Sequence, residues 1–325
     1  MERVAVVGLG NIAARHRRNL KQLFPNALLY AMSASGRVPK QAVSNADHLI
    51  DSIDVLIKEQ VQLAIVASPA SFHAAHAIPL IEAGIAVLIE KPVTATLDEL
   101  KALQEAAARY PTPVAVGYCL RYLSSAIEMK KYLSTGMLGN VYHAHVEIGQ
   151  YLPDWRPSID YRESVSARLA LGGGALLELS HEFDYTQWLL GELTLQHAIL
   201  RQSEELGLEV EDSADMLLST EQNAVVHLHL DFLQRRAYRQ CRFVGSQGAL
   251  EWDLISNEIR FVCAQGTQVL YSEPAWDKNQ MYMAMVLDFV ARIYGQPNQC
   301  VSLDEAAKSL ELIAQIKTRY PITAS

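Results

Sequence analysis

A glycine-rich turn near the N-terminus constrains the fold of this chain more than any other feature. The apolar run Val4–Val7 predicts a buried strand, and the turn that follows it leads into a helical pattern reaching Leu20. Gly8 permits a tight turn, Gly10 lets backbone N–H groups approach a pyrophosphate, and Ala13 is small enough for close helix–strand packing. The strand, turn and helix predict a dinucleotide-binding site. Its expected contacts are Gly8, Gly10, Asn11, Ile12 and Ala13.

Apolar runs alternate with helical patterns over residues 1–120. Four further runs are apolar enough to be strands buried on both faces, namely Ala27–Met32, Leu63–Ala67, Ala86–Ile89 and Val114–Gly117. Between them, Phe72–Ala83 and Leu97–Tyr110 have helical periodicity, with Thr96 or Asp98 as the cap of the second helix. We therefore predict an α/β fold in which residues 1–120 form a Rossmann domain with a doubly wound parallel sheet.

The pattern changes in residues 121–325. Val141–Ile148 and Val225–Phe232 alternate apolar and polar residues, which indicates strands with one buried face. Two hairpins are expected, one joining Met216–Thr220 to Val225–Phe232 and one joining Gln240–Val244 to Ala249–Leu254. These features predict a second, α+β domain with antiparallel strands.

Charge and composition exclude several classes of function. Lys plus Arg number 28 and Asp plus Glu 36, a net charge of −8, so we expect no nucleic-acid partner. No apolar run approaches the ~20 residues of a membrane-spanning helix and no leader pattern begins the chain, so we expect a cytoplasmic protein that binds no membrane. The four cysteines form no C-x-x-C pair, which predicts reduced structural thiols.

The end of the second predicted strand bears on the choice of cofactor. An NAD site expects Asp or Glu there, to hydrogen-bond the ribose 2′-hydroxyl. This chain has no carboxylate at that place, and Ser33, Ser35 and Arg37 follow the strand instead. Small hydroxyl groups with an arginine suit a 2′-phosphate, so NAD(P) is expected, with NADP favoured over NAD. The alternative is that Arg37 lies on a solvated loop.

Two other motifs carry groups that could do chemistry. Glu90-Lys91-Pro92 follows a predicted strand, and the carboxyl ends of strands face the ligand crevice in a doubly wound sheet. The triple glycine Gly172–Gly174 leads into a helical pattern in which Glu178, His181 and Asp184 are spaced i, i+3 and i+6, along one side of a single predicted helix.

These motifs, in this order along the chain, resemble the Gfo/Idh/MocA oxidoreductases. The resemblance spans nearly the whole chain, including the helical ends Met281–Tyr294 and Leu303–Arg319. It implies a Rossmann domain joined to an open-faced, mostly antiparallel sheet in residues 121–325, and a homodimer or homotetramer built through that sheet. It also implies cofactor contacts from the S-P-x-x-x-H motif, the E-K-P motif and an arginine after the fifth strand, here Ser68, Pro69, His73, Glu90, Lys91 and Arg121.

The resemblance assigns catalytic roles as well. Lys91 would position and polarise the reacting hydroxyl or carbonyl, and His181 would be the general acid/base for hydride transfer between nicotinamide and a secondary alcohol carbon. Many members carry Asp four residues before the histidine, where this chain has Leu177. Either Glu178 or Asp184 could supply the missing carboxylate.

The substrate is read from an irregular segment, Gln150–Arg162, which is rich in aromatic and arginine residues. Aromatic faces suit sugar rings, and arginines suit phosphate or carboxylate groups. We therefore expect a sugar, sugar nucleotide or polyol substrate, unless the segment is only a packed structural loop. The expected substrate contacts are Lys91, Trp155, Arg156, Tyr161, Arg162, Glu178 and His181.

Two other functions remain compatible with the sequence: a catalytically silent cofactor- or sugar-sensing regulator, and redox-assisted glycoside or non-sugar chemistry on the same fold. A metal is not expected, because the E-x-x-H pair of Glu178 and His181 has no second copy. Solvent or another subunit is the expected neighbour of four alternating strand histidines, His143, His145, His227 and His229.

Overall fold

The computed structural model describes residues 1–155, 157 and 160–324 and divides them into two compact units. The first unit contains 1–119 and 282–310, and the second contains 120–281 and 311–325. The expected second domain, 121–325, therefore includes a segment, 282–310, that packs with the first unit. No helix in these described ranges is both long enough and apolar enough to cross a membrane.

The first unit is built on a six-stranded parallel sheet, which confirms the predicted Rossmann architecture. Its strands in chain order are β1 (Arg3–Val7), β2 (Leu28–Met32), β3 (His48–Ile50), β4 (Leu63–Val66), β5 (Ala86–Glu90) and β6 (Val114–Gly117). The spatial order is β3-β2-β1-β4-β5-β6. This order reverses between β1 and β4, so the carboxyl ends of these strands mark the crevice where doubly wound sheets bind ligands.

Four helices connect the strands of this sheet. They are α1 (Asn11–Leu23), α2 (Ile53–Lys58), α3 (His73–Glu82) and α4 (Leu97–Arg109). In α1, the buried face is formed by Ala13, His16 and Leu20, spaced i, i+3 and i+7. Thr96 caps α4, since its hydroxyl accepts from the Glu99 N–H and the Glu99 carboxylate accepts from the Thr96 N–H.

The second unit is built on a nine-stranded mixed sheet. Its strands are β7 (Val141–Gly149), β8 (Leu193–Gln202), β9 (Ser213–Thr220), β10 (Val225–Asp231), β11 (Tyr238–Gly245), β12 (Gly248–Asp253), β13 (Glu258–Cys263), β14 (Gly266–Ser272) and β15 (Ile322–Ala324). Both predicted hairpins are confirmed as antiparallel pairs, β9 with β10 and β11 with β12. Two pairs, β10 with β7 and β15 with β8, are parallel.

One face of this sheet is apolar and buried. Ala144, Val146 and Ile148 alternate with more exposed residues along β7, as their period of two requires. The helices of the second unit are α5 (Ser124–Ser134), α6 (Ala175–Glu178) and α7 (His181–Leu190), whereas α8 (Asn279–Ile293) and α9 (Leu303–Arg319) each have residues in both units.

Candidate functional site

The turn between β1 and α1 has a backbone that only glycine accommodates. Gly8 has φ +121°, and a Cβ there would collide with the carbonyl oxygen of Ala67. Its N–H donates to the Met32 carbonyl at 2.7 Å, which ties the turn to the neighbouring strand. At Gly10, a Cβ would meet nothing within 4 Å among the described residues. The approach to the start of α1 is therefore open on the side of Gly10.

The first turn of α1 is suited to an anion. Gly10 is the N-cap, and the first backbone bond of the helix runs from the Ala14 N–H to the Gly10 carbonyl at 2.9 Å. The N–H groups of Asn11, Ile12 and Ala13 precede that bond, so the helix itself gives them no acceptor. No acidic residue lies in this first turn. These features fit a pyrophosphate, which helix N-termini of this kind bind.

The loop after β2 carries the residues predicted to meet the ribose. The Ser33 hydroxyl donates to the Arg37 carbonyl at 2.7 Å, and the Gly36 N–H donates to the Ser33 carbonyl at 3.1 Å. The side chains of Ser35 and Arg37 are exposed. The loop is thus a closed turn whose outer surface presents a hydroxyl and a guanidinium.

The S-P-x-x-x-H motif lies at the end of β4. Its histidine, His73, is 1% exposed, and its Nε2 is 2.8 Å from the Ser68 carbonyl oxygen. Its Nδ1 is 3.0 Å from the carbonyl oxygen of Pro92 and 3.2 Å from that of Val93. Burial lowers the pKa of His73, and the carbonyl acceptors oppose that shift. Both ring nitrogens of His73, a predicted cofactor contact, therefore face backbone carbonyl oxygens, and the neutral ring can donate its single N–H from only one of them. Ser68 and Pro69 are half-buried.

The E-K-P motif ends β5, where Lys91 is half-buried. The carboxylate of Glu90 is buried, and its Oε1 lies 2.6 Å from Nε2 of His16 on α1. Its Oε2 accepts from the Lys91 backbone N–H at 3.2 Å. Glu90, predicted as a cofactor contact, thus has both carboxylate oxygens bonded within the first unit.

The triple glycine of the second unit permits close packing. A Cβ at Gly173 would lie 2.6 to 2.8 Å from three carbonyl oxygens, those of Val165, Ser166 and Arg168. A Cβ at Gly174, where φ is +107°, would collide with the carboxylate of Glu211. That carboxylate accepts from the Leu176 N–H at 3.3 Å. The glycines therefore let backbone and carboxylate anchor the start of α6.

The prediction of one helix carrying Glu178, His181 and Asp184 is wrong. Glu178 ends α6, and His181 begins α7. At the break, the Glu182 N–H bonds to the Leu179 carbonyl, three residues back, at 3.3 Å. The bonds of Gly174 to Ser166 and of Ala175 and Leu176 to Glu211 fix the start of α6, and these contacts leave no sign in the local periodicity. Glu178 and His181 are both half-buried.

Arg121 and Asp184 form a buried ion pair in the second unit. Arg121 donates from Nε to Asp184 Oδ2 at 3.0 Å and from Nη2 to Oδ1 at 2.7 Å. The side chains are 10% and 1% exposed. The sequence predicted Arg121 as a cofactor contact and Asp184 as a catalytic acid. Their two hydrogen bonds connect the first turn of α7, which begins at His181, to the short 3₁₀ turn Cys119–Tyr122.

A second buried cluster lies beside His181, and the sequence analysis did not find it. Glu182 is fully buried and accepts from Arg239 Nε at 2.7 Å and from the Tyr185 hydroxyl at 3.3 Å. Burial raises the pKa of Glu182, and Arg239 opposes the shift. Cys241, 3.3 Å from the Tyr185 hydroxyl, has its pKa raised to about 12 by burial. This thiol is therefore protonated at neutral pH.

Two family models match the chain. One, described as an oxidoreductase family with an NAD-binding Rossmann fold, matches residues 2–118, and the GFO/IDH/MocA C-terminal domain matches residues 126–251. This chain belongs to the Gfo/Idh/MocA oxidoreductase family.

Three members of the Gfo/Idh/MocA family show how similar this chain is to known proteins. Inositol 2-dehydrogenase 1 of Saccharopolyspora erythraea is 27% identical over 268 residues, which are 79% of this chain and 75% of that protein. The fold matches levoglucosan dehydrogenase in complex with NADH and levoglucosan, with a TM-score of 0.82 and 20% identity over 98% of this chain and 97% of that one. It also matches the WlbA dehydrogenase of Bordetella pertussis in complex with NADH and UDP-GlcNAcA, with a TM-score of 0.80 and 18% identity over 98% and 95% of the chains.

In the segment predicted to bind substrate, Gln150–Arg162, some side chains form hydrogen bonds with the protein's own backbone. Trp155 donates from Nε1 to the Gln150 carbonyl at 3.3 Å, and the Tyr161 hydroxyl donates to the Leu206 carbonyl at 3.1 Å. Arg162 is exposed and lies 3.7 Å from Asp160. Arg156 lies outside the described residues. Trp155 and Tyr161 thus stabilise the segment, whereas Arg162 presents its charge to solvent.

His16 is the residue of the first unit that sequence reasoning missed. A signal for it existed: it shares an apolar helix stripe with Ala13 and Leu20, and Glu90 ends a strand expected to be buried. A buried carboxylate requires a partner, and a histidine facing the same sheet can supply one.

Among the described residues, no group of three or more His, Cys, Asp and Glu side chains is arranged to hold a metal ion. The strand histidines instead contact one another or carboxylates. His145 stacks on His227 with ring centroids 4.8 Å apart, and His229 bonds to Asp215 and Asp231.

Proposed function

We propose that this protein transfers a hydride between NAD(P) and a secondary hydroxyl or ketone carbon of a sugar, sugar nucleotide or polyol. The proposal rests on two features of the first unit: a helix start at Gly10 that is suited to an anion, and the half-buried Lys91 at the end of β5. Relatives whose names state inositol and levoglucosan dehydrogenation support the substrate class.

The chemistry assigned to this chain is proton movement and charge stabilisation. A bound nicotinamide supplies the hydride acceptor or donor. His181 takes the proton of the substrate hydroxyl during oxidation and returns it during reduction. Lys91 stabilises the negative charge that develops on the reacting oxygen. Glu178 assists by contact with the substrate, and Arg162 holds an anionic group where the substrate has one.

We propose the following cofactor contacts on the first unit. Gly8, Gly10, Asn11, Ile12 and Ala13 would hold the pyrophosphate, with Ser68 and Pro69 at the neighbouring strand end. Ser33, Ser35 and Arg37 would take the ribose 2′ position and favour NADP. This preference is supported by the exposed Ser35 and Arg37 side chains and by the absence of Asp and Glu from residues 33–40.

Titration of the purified protein with NADPH and NADH, followed by nicotinamide fluorescence, tests the cofactor assignment. We expect saturable binding of both, with tighter binding of NADPH. Arg37→Ala should remove the difference between the two affinities, because the guanidinium would contact only the 2′-phosphate. Equal affinities in the unmodified protein would contradict the NADP preference, and binding of neither would overturn the proposed function.

Turnover of a panel of polyols, sugars and sugar nucleotides tests the catalytic residues. His181→Asn should lower kcat by about 10²- to 10⁴-fold, the usual contribution of a general acid or base. Lys91→Met should lower kcat comparably and leave NADH affinity within a few-fold. Lys131→Met is the matched control, because that lysine is a surface residue on α5. Unchanged kcat in either site variant would exclude the role proposed for that residue.

We also propose that the chain forms a homodimer or homotetramer through the second unit's sheet. Its outer face mixes imidazoles with partly exposed aliphatic side chains, such as Ile199 and Val225. Such a surface has apolar area to bury against a second copy.

A further inference from the structure

The turn that carries Lys91 is held on its N-terminal side by a buried contact between an imidazole and a carboxylate. His16 is 0% exposed and Glu90 is 6% exposed. Since Nε2 of His16 lies 2.6 Å from Oε1 of Glu90, the helix that begins at the glycine turn is joined directly to the E-K-P motif. The other oxygen of Glu90 accepts from the Lys91 backbone N–H. The connection therefore runs from α1 through one carboxylate to the backbone of the lysine.

The packing around Glu90 leaves this carboxylate little freedom. A Cβ at Gly117 would lie 3.3 Å from both Cα and Cδ of Glu90, so β6 approaches it closely. On another side, the Tyr282 ring meets the edge of the His16 ring with centroids 6.1 Å apart. Burial raises the pKa of Tyr282, and the nearby Glu90 carboxylate and a hydrogen bond with Cys119 act in the same direction, so its hydroxyl stays protonated. The β6 backbone and the His16 imidazole thus pack against the carboxylate, and Tyr282 packs against that imidazole.

The same turn is held on its C-terminal side by His73. This imidazole lies on α3 and contacts the carbonyl oxygens of Pro92 and Val93 through Nδ1. Through Nε2 it contacts the Ser68 carbonyl oxygen at the end of β4. The ring therefore fills the space between the turn and the end of β4, with its single N–H directed at a carbonyl oxygen on one of the two sides.

We propose that His16 and His73 are positioning residues for Lys91, which fix its backbone from the two sides of the Glu90–Val93 turn. The inference rests on the proposed function only in its use of Lys91 as the group that stabilises charge on the reacting oxygen. It assigns His73 and Glu90 to support of the lysine rather than to direct contact with a dinucleotide.

The physical reason is the length of the lysine side chain. The place of a lysine ammonium depends on the backbone that carries its four-carbon stem, so a shift of that backbone displaces the ammonium. A displacement of about 1 Å in a positioned group can cost about 100-fold in rate. Loss of either histidine should therefore lower kcat by up to about 100-fold, while dinucleotide affinity, which depends on the start of α1, changes little.

Two variants remove the His16 connection and one retains it. His16→Leu leaves the Glu90 carboxylate buried without its partner, and this variant could fail to fold. His16→Leu combined with Glu90→Gln removes the pair without leaving a buried charge, so it keeps the test available. His16→Gln retains an N–H donor toward Glu90 and should restore much of the loss. His73→Phe tests the other side of the turn.

Leu20→Ala is the matched control for stability. Leu20 is fully buried on α1, one turn beyond His16, and its truncation should lower the melting temperature. The kcat values of Leu20→Ala and of the His16→Leu/Glu90→Gln variant are compared at equal loss of melting temperature. If His16 has a purely structural role, both variants should lower kcat equally. Positioning predicts a loss of kcat in the double variant alone.

A second measurement does not need turnover. Lysines of the protein are reductively dimethylated with ¹³C-formaldehyde and a borane reductant, and the Lys91 methyl signal is assigned by its loss in Lys91→Arg. Without any cofactor, we expect this signal to shift and broaden in the His16→Leu/Glu90→Gln and His73→Phe variants and to stay unchanged in Leu20→Ala. An unchanged Lys91 signal and unchanged kcat in both histidine variants would overturn the inference. Failure of the unmodified protein to turn over any substrate would overturn the proposed function instead.

Discussion

At the scale of single residues, His229 shows how a strand histidine can be fixed by charge. Its Nδ1 lies 2.7 Å from Asp215 Oδ1 and its Nε2 lies 2.8 Å from Asp231 Oδ2. The hydrogen bond to Asp231, with that to Asp215, raises the pKa of His229 to about 9 despite partial burial. This imidazole is therefore a cation at neutral pH.

The raised pKa predicts a pH-dependent contribution to stability. Because the pKa is about 9 in the folded protein and about 6.5 when unfolded, the contribution is fully present below pH 6.5 and is lost as the pH rises through 9. His229→Gln should thus lower the free energy of unfolding more at pH 6 than at pH 9.5, by about 1 kcal/mol since the side chain is one-third exposed and screened. Urea unfolding at the two pH values measures this difference.

His227→Gln is the control for that measurement, because His227 stacks on His145 and is exposed. An equal loss of stability at both pH values in His229→Gln would show that the charge of His229 does not contribute.

At the scale of helices and strands, the short helix α7 is anchored by its first turn. Arg121 and Asp184 form two hydrogen bonds in a buried setting, and Asp184 lies three residues after His181. A buried pair of this kind strongly penalises removal of one partner, because the other charge is then left without compensation. The position of α7 should therefore depend on the pair as a unit.

A double-mutant cycle tests this dependence. Asp184→Ala should lower the free energy of unfolding by about 3 kcal/mol, and Arg121→Met by a similar amount. The combined variant should lose less than the sum, because neither charge is then left buried alone. Urea unfolding of the four proteins gives the coupling.

Additive losses would contradict the coupling of Arg121 and Asp184. The activity of Asp184→Asn separates the two roles of that residue: a catalytic acid would change the pH profile of kcat, whereas an anchor would change the unfolding midpoint with the pH profile kept.

At the scale of the whole molecule, the outer face of the second unit's sheet bears on assembly. A shallow concavity there is lined in part by His145, His197, Ile199, Leu217 and His227. Ile199 is 41% exposed, so its apolar surface is available to a second copy.

Light scattering after size-exclusion chromatography tests the proposed assembly. We expect the unmodified protein to have the mass of a dimer or tetramer, and Ile199→Glu to shift it toward the monomer, because the introduced charge would be buried in the interface. Ile255→Glu, at a residue 42% exposed between β12 and β13, should leave the mass unchanged. A monomeric unmodified protein would contradict the proposal.

Strands with a clear hydrophobic pattern in the sequence were predictable, and strands without such a pattern were not. The strands β1, β4, β5 and β6 are apolar runs apart from Arg3 and Glu90 at strand ends, and the alternating pattern predicted β7 and β10. By contrast, β3 has three residues with one buried, and β14 is mostly exposed. Their backbone pairing with neighbours, rather than side-chain burial, forms these strands, so periodicity gives little sign of them.

The sequence alone determined the glycine turn, the strands of the parallel sheet, the strand end that carries Lys91 and the family, because each shows as a local pattern or as a series of local motifs in the chain. Only the tertiary structure decided that Glu90 meets His16, that Arg121 meets Asp184 and that the helix predicted through His181 is broken. These features join segments as far as 74 residues apart, or depend on such a contact. Burial forces a charged group to find a partner, and only the folded chain determines which partner is within reach.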